Sequence, residues 1–177
     1  MVVPEEWGGS YIDYVAYALA VEEISAGDGA TGALMSIHNS VGCGPVLNYG
    51  SQAQKETYLP RLADGTYKAG SFCLTESGAG SDPSRMKTRA RREGNGWRID
   101  GEKLYITSAE YAGIFVVWAV TDPDAAPGKG ISCFLVEANA PGLVIGKAER
   151  KMGQHGSPTN VVHFEDCRIP AENIMGA

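Results

Sequence analysis

Residues 72–82 read FCLTESGAGSD, a short apolar run that reaches Thr75 and then gives way to glycines, serines and two carboxylates. The run has the composition of a β-strand, and the small residues after it would let a ligand approach the backbone and meet its N–H groups. A second run of this kind, KLYIT, ends at Thr107. A Gly/Ser loop after a strand is most often a plain turn, so spacing alone does not identify a ligand.

After Lys68 the sequence consists of short runs rich in β-branched and aromatic residues, separated by turn residues such as Asp100 and Gly101. Many short strands at this spacing predict an antiparallel β-barrel or sandwich, and the lack of strand–helix–strand alternation argues against a Rossmann fold. The predicted strands are SFCLT, KTRARRE, GWRIDG, KLYIT, IFVVWAV, ISCFLVE, LVIGKAE and NVVHFED. Thr75 is expected to close the first of them.

The residues before Lys68 are predicted to be helical, which makes the chain an α+β protein. Ser10, followed by Asp13, resembles a capping box and predicts a first helix that starts there and ends at residues 27–29. A second helix is expected over about residues 33–41, stopping at the stretch GCGP.

A third helix is predicted from the stretch SQAQKETYLPRLADG. Ser51 and Gln54 make a capping box at its start, and Gly65 closes it. Pro60 is expected to end or kink this helix, because proline lacks the backbone N–H that a helix interior needs.

The composition bounds the class of protein. Hydrophobic residues make up 44% of the 177 residues, charged residues 20%, and the formal net charge is −6. This balance argues against a nucleic-acid binder, which needs clustered Lys and Arg. The basic run KTRARR at 87–92 is interpreted as the solvated face of a strand.

The spacing of the cysteines and the length of the apolar runs predict where the protein is located. The four cysteines include no Cys-x-x-Cys pair, so no metal or redox site is expected. The longest apolar run, IFVVWAV, is too short to span a bilayer, and the first residues do not resemble a signal peptide. The expected location is the cytoplasm, or the mitochondrial matrix in a eukaryote.

Four blocks in order along the chain resemble the acyl-CoA dehydrogenase family. They are PEEWGG at 4–9, FCLTESGAGSD at 72–82, DGEKLYITSAE at 100–110 and KMGQHGSPTNVVHFEDCRIPAENIMG at 151–176. The resemblance implies FAD bound between a middle β domain and flanking helical domains. It divides the chain into a partial N-terminal helical domain at 1–68, the middle β domain at 69–171 and, at 172–177, the start of a C-terminal helical domain whose bundle is absent.

The resemblance also assigns site residues. Thr75 would hydrogen-bond the pyrimidine side of the flavin, and Thr107 would bond it near N5 and O4. Ser81 would lie where the FAD pyrophosphate and the acyl-CoA substrate approach each other. The residues assigned to the cofactor are Phe72, Cys73, Leu74, Thr75, Gly80, Ser81, Tyr105, Ile106 and Thr107, with Ser81 assigned to the substrate as well.

The chain departs from the family pattern at three positions. Ser77 stands where the family usually has proline, Tyr105 where it has tryptophan, and His155 where many relatives carry arginine. His155 is a candidate for lying near the substrate. Glu76 and Asp82 are interpreted as turn or cap residues, and neither is assigned a catalytic role.

The resemblance implies α,β-dehydrogenation of an acyl-CoA thioester, with hydride transfer to flavin N5 and an electron-transfer flavoprotein as acceptor. The family's catalytic glutamate lies in the C-terminal helical domain, so the chain is expected to be an inactive fragment without the base or a metal, taken from a homo-oligomer. Two alternatives remain, which are an acyl-CoA oxidase-like flavoprotein and a short non-catalytic module that binds FAD or a partner. Exposed apolar faces predict self-association of the fragment.

Overall fold

The computed structural model describes residues 1–176. The helices are α1 (Tyr14–Gly27), α2 (Gly29–Ile37), a π-helical turn (His38–Cys43), α3 (Gly44–Tyr49) and α4 (Gln52–Ala63). The strands are β1 (Ala69–Cys73), β2 (Arg89–Glu93), β3 (Gly96–Thr107), β4 (Ala112–Val120), β5 (Ile131–Glu137), β6 (Leu143–Ala148), β7 (Thr159–Pro170) and β8 (Ile174–Met175). Among these residues, no helix has the length and apolar character needed to cross a membrane.

The first helix begins later than the sequence predicts. Asp13, not Ser10, is the N-cap, and its carboxylate accepts a hydrogen bond of 2.7 Å from the N–H of Ala16. Asp13 has extended backbone angles, which lets its short side chain reach back over the first turn. The prediction of a capping box from Ser10 to Asp13 was therefore wrong.

The predicted second helix, over residues 33–41, was also wrong in its bounds. Helix α2 starts at Gly29 with Asp28 as its cap, and the chain stays helical through the π turn and the GCGP stretch into α3. Pro45 lies in the first turn of α3, directly after the π turn.

The predicted start of the third helix is confirmed. The Ser51 hydroxyl accepts from the N–H of Gln54 at 3.2 Å, and the Gln54 side chain accepts from the N–H of Ser51 at 2.9 Å. Pro60 does not end helix α4, which continues to Ala63. The hydrogen bond that proline cannot donate would have gone to the carbonyl of Glu56, which is an exposed residue.

The strands form one mostly antiparallel sheet, as predicted, in the order β6-β7-β3-β2-β4-β5-β8, with β1 parallel to β4. The two runs GWRIDG and KLYIT are a single strand of 12 residues, β3, so the predicted turn at Asp100 and Gly101 is absent. The pairing with β7 shifts register there, and Gly101 has φ +150° with Thr88 so close that an added Cβ would lie 2.5 Å from its hydroxyl oxygen. The turn signal in the sequence is a β-bulge.

Strand β4 is the centre of the core because both of its faces are buried. Phe115 and Val117 point into a cluster formed within the curved sheet, together with Phe134. Ile114 and Val116 point the other way, into a cluster shared with the helices. The period-2 alternation of β4 thus joins the helical and β regions through one strand.

Helix α1 contributes no buried residue, and it exposes Val15 and Leu19, whose exposed fractions are 68% and 57%. Ile12, just before the helix, is 73% exposed. Val15 and Leu19 lie four residues apart and therefore share one face of the helix. The expected self-association of the chain stays a prediction.

Candidate functional site

The two blocks with a threonine lie side by side. The carbonyl of Thr75 accepts from the N–H of Leu104 at 2.8 Å, and the Ser71 hydroxyl donates to the carbonyl of Thr107 at 2.7 Å. Strand β1 ends at Cys73, so Thr75 does not close the strand as predicted. Thr75 instead lies in the loop that follows, and its contact with β3 holds it in place.

The small-residue loop after Thr75 turns tightly and leaves its outer side open. Glu76 and Ala79 exchange two backbone hydrogen bonds of 3.1 Å. A Cβ added at Gly78 or Gly80 would meet no atom within 4 Å. Ser81 is exposed beside them. This open backbone fits a bound group that lies along the loop and accepts hydrogen bonds from its N–H groups.

Tyr105 stands out in this region because it has φ +59°, a conformation that costs a bulky residue roughly 1–3 kcal/mol. Its side chain is 65% exposed, while Ile106 next to it is buried. Ser108, at the end of the same block, also has a positive φ, and its buried hydroxyl has no hydrogen-bond partner within residues 1–176. Backbone strain of this kind concentrates at functional sites.

The remaining residues of the two blocks differ in their access to a ligand. Thr75, Thr107, Phe72 and Leu74 are half-buried, so each has a surface that a bound group could contact. Cys73 is fully buried, and burial raises the pKa of its thiol. Its side chain therefore packs beneath the surface and offers no exposed area to a bound group.

A buried ion pair that the sequence analysis missed fastens the loop to the sheet. The ammonium of Lys103, which is 0% exposed, donates to Glu76 at 2.8 Å and to the carbonyl of Leu74 at 3.1 Å. Its third neighbour is the sulfur of Met86 at 3.8 Å. Lys103 opens the run KLYIT, and a lysine next to hydrophobic residues in a predicted strand was the only signal in the sequence.

Glu76 also accepts hydrogen bonds from two backbone N–H groups. Its carboxylate accepts from the N–H of Lys87 at 2.6 Å and from the N–H of Thr88 at 3.0 Å. Burial alone would raise the pKa of Glu76, but the bonds from Lys103, Thr88 and Lys87 together lower it. Burial lowers the pKa of Lys103, and the contact with Glu76 opposes that shift. We take both groups as charged near neutral pH.

The other predicted turn and surface residues have ordinary roles. Asp82 accepts hydrogen bonds from the N–H and the hydroxyl of Ser84, at 3.1 and 2.5 Å. His155 is exposed, and its Nε2 lies 2.8 Å from the carbonyl of Lys151. Among residues 1–176, no three His, Cys, Asp or Glu side chains are grouped to hold a metal.

An apolar cavity of about 440 Å³ opens next to the loop. Phe72, Leu74 and Trp118 form its wall, with the Phe72 and Trp118 rings packed edge to face at a centroid distance of 6.3 Å. A second cavity of about 520 Å³ adjoins it and shares Met86 and Ile131. The site therefore combines a loop with open N–H groups, a strained strand end and an apolar recess.

The chain resembles known proteins over its whole length. The acyl-CoA dehydrogenase N-terminal domain family matches residues 1–66, and the acyl-CoA dehydrogenase middle domain family matches residues 71–167. The human mitochondrial short-chain specific acyl-CoA dehydrogenase is 49% identical over 176 residues, which are 99% of this chain and 42% of that protein.

Solved structures give the same result. A chain from the electron transferring flavoprotein study of Acidaminococcus fermentans has a TM-score of 0.96 and 41% identity, over 100% of this chain and 46% of that chain. An acyl-CoA dehydrogenase complexed with FAD from Bacillus anthracis has a TM-score of 0.91 and 36% identity, over 99% of this chain and 30% of that chain. The chain spans less than half the length of these relatives. It belongs to the acyl-CoA dehydrogenase family of FAD-dependent oxidoreductases.

Proposed function

We propose that this chain forms the flavin-binding part of an enzyme that dehydrogenates an acyl-CoA thioester between its α and β carbons. The observation that carries the proposal is the contact between the Thr75 loop and β3, which brings Thr75 and Thr107 onto neighbouring segments. Bound FAD would supply the acceptor for the hydride that leaves the β carbon.

The chain's own residues would bind and orient the ring. The hydroxyls of Thr75 and Thr107 would donate hydrogen bonds to polar atoms of the flavin, which tunes its electron affinity. The exposed Tyr105 ring would pack on the flavin, and its strained backbone would set the angle of packing. The open backbone of Gly80 and Ser81 would contact the pyrophosphate, with Ser81 also next to the substrate.

The proton would be removed from the α carbon by a base outside this chain. Glu76 is unsuited to the role, because Lys103 and two backbone N–H groups keep its carboxylate ionised and occupied. Asp82 is occupied by Ser84 in the same way. An electron-transfer flavoprotein is the proposed acceptor, a partner that fits the likeness to the Acidaminococcus fermentans structure.

The proposal is tested by titrating the chain with FAD and following flavin fluorescence and the visible spectrum. Binding is expected, and Thr75→Ala and Thr107→Ala should each weaken it by about three- to tenfold, the value of one neutral hydrogen bond. Thr57→Ala is the matched control, because Thr57 is exposed on α4 and its hydroxyl bonds the carbonyl of Ala53.

Two results would count against the proposal. Equal FAD binding by all three variants would remove Thr75 and Thr107 from the site. No FAD binding by the chain or by a longer protein that contains it would favour a module that serves a partner, and rapid reaction of the reduced protein with oxygen would favour an oxidase.

A further inference from the structure

Strand β3 contains a second bulge, close to the small-residue loop. From Lys103 to Ile106 the strand advances three residues, while its partner β7 advances two. Lys103 and Ile106 are both buried, although residues three apart in a regular strand face opposite sides of the sheet. The pairing of β3 with β7 passes over Leu104, so the backbone N–H of Leu104 is directed elsewhere.

The bulge aims two consecutive residues of β3 at three consecutive residues of the chain around Thr75. The N–H of Leu104 donates to the carbonyl of Thr75 at 2.8 Å. The ammonium of Lys103 donates to the carbonyl of Leu74 at 3.1 Å and to the carboxylate of Glu76 at 2.8 Å. Thr75 is therefore held through its own backbone and through the residue on each side of it.

The Lys103–Glu76 pair is not explained by stability alone. Apolar side chains of similar size often match or exceed the stability of a buried ion pair, because both charges of the pair lose their hydration. Charge-assisted hydrogen bonds are short and have a defined geometry. The side chains of Lys103 and Glu76 are 0% and 8% exposed, so little water competes for these bonds. A fixed geometry is what such a pair adds beyond an apolar core.

Thr107 has a support of its own. It lies on β3 beyond the bulge, and its carbonyl accepts from the hydroxyl of Ser71 at 2.7 Å. Ser71 is fully buried on β1. The Lys103 ammonium instead bonds the two neighbours of Thr75. The two threonines therefore depend on different side chains, and a change at Lys103 should act on Thr75.

We propose that Lys103 is a positioning residue for the flavin, because its ammonium holds the residue on each side of Thr75 and so fixes the direction of the Thr75 hydroxyl. The assignment rests on the proposed function and adds a residue that acts without touching the cofactor. Loss of the ammonium should release the Thr75 hydroxyl while Thr107 keeps its place. One of the two flavin hydrogen bonds expected in the proposed function would then be lost.

The test uses the double variant Lys103→Met with Glu76→Gln. It removes the ammonium without leaving a buried charge, so the fold should be retained, and urea unfolding checks this. The matched control is Arg168→Met with Glu93→Gln, which makes the same two changes in an exposed pair. Glu76→Gln alone is the second variant, since it keeps the ammonium and its bond to Leu74.

The first measurement needs no ligand. The three-bond NMR coupling between Hα and Hβ of Thr75 reports whether its side chain occupies one rotamer or several. It should indicate one rotamer in the parent chain and in the control, and an average over rotamers in the double variant. Glu76→Gln should give a value between them. The coupling of Thr107 should be the same in all of these proteins.

The second measurement is the affinity for FAD, followed by flavin fluorescence. The double variant should bind FAD about three- to tenfold more weakly than the parent chain, which is the loss expected for Thr75→Ala. Adding Thr75→Ala to the double variant should then change the dissociation constant by less than about twofold, because the hydrogen bond is already lost. Adding Thr107→Ala should weaken binding by roughly a further three- to tenfold.

The outcomes separate the two proposals. A Thr75 coupling that is unchanged in the double variant, or losses of FAD affinity that add equally for Thr75→Ala and Thr107→Ala, would overturn the positioning role and leave the proposed function standing. FAD affinity equal to that of the parent in a stable double variant would assign Lys103 to the fold alone and overturn the proposal in the same way. A changed coupling in a chain that binds no FAD would support the orientation of Thr75 by Lys103 and count against the proposed function.

Discussion

Replacement of Lys103 by methionine should destabilise the chain severely. The change leaves the Glu76 carboxylate buried without its cation and removes the donor to the Leu74 carbonyl. Breaking a buried ion pair by removing one partner typically costs about 3–5 kcal/mol, which is a large part of a total stability of roughly 5–15 kcal/mol. At about 2–4 °C per kcal/mol for a chain of this size, the melting temperature should fall by roughly 6–20 °C.

Thermal and urea unfolding followed by circular dichroism measure this loss. Arg168→Met is the control, because Arg168 and Glu93 form a pair at 3.4 Å whose side chains are 69% and 46% exposed. Such surface pairs are worth about 0–1 kcal/mol. The double variant Lys103→Met with Glu76→Gln should recover most of the loss, since the introduced amide is uncharged and its oxygen could still accept from the N–H groups of Lys87 or Thr88.

Lys103→Met should have a local effect as well. Amide hydrogen exchange in residues 75–81 should speed up in Lys103→Met by more than the loss of global stability explains, because Lys103 holds both Leu74 and Glu76. A loss of stability below about 1 kcal/mol, or no difference between Lys103→Met and Arg168→Met, would refute the conclusion that the Lys103–Glu76 pair holds the loop to the sheet.

Two further predictions concern the join between the helices and the sheet. His38 accepts a hydrogen bond from the N–H of Gly70 through Nδ1 at 3.1 Å, and burial lowers the pKa of His38. The contribution of the neutral imidazole to the free energy of unfolding is therefore present above pH ~6.5 and is lost as the pH falls toward the lowered value. Unfolding midpoints at pH 7.5 and 5.5 should differ less for His38→Gln than for the parent chain, and equal differences would contradict this. Gly70→Ala should cost about 1–3 kcal/mol in urea unfolding, because its Cβ would lie 2.9 Å from the Cα of Gly42, whereas Gly29→Ala, with no atom within 4 Å, should be nearly neutral.

Local patterns predicted much of the fold because they depend on few residues. The capping box of Ser51 and Gln54 is a contact between neighbours in the chain, and the alternation in β4 follows from backbone geometry. The same reasoning failed where distant packing overrides a local preference. The Asp100–Gly101 turn signal became a bulge because β7 pairs with both halves of β3, and the break expected at GCGP became a helix because Gly42 packs against Gly70.

The amino-acid sequence by itself determined the change from helices to strands near Lys68, the family and the two threonine blocks, because these are properties of residue order. Only the tertiary structure decided that Lys103 lies buried against Glu76, and that Phe72, Leu74 and Trp118 line one cavity. These residues are brought together by the pairing of strands and by burial. A sequence shows which charges exist, but their neighbours and their exposure to water follow from the packing of the whole chain.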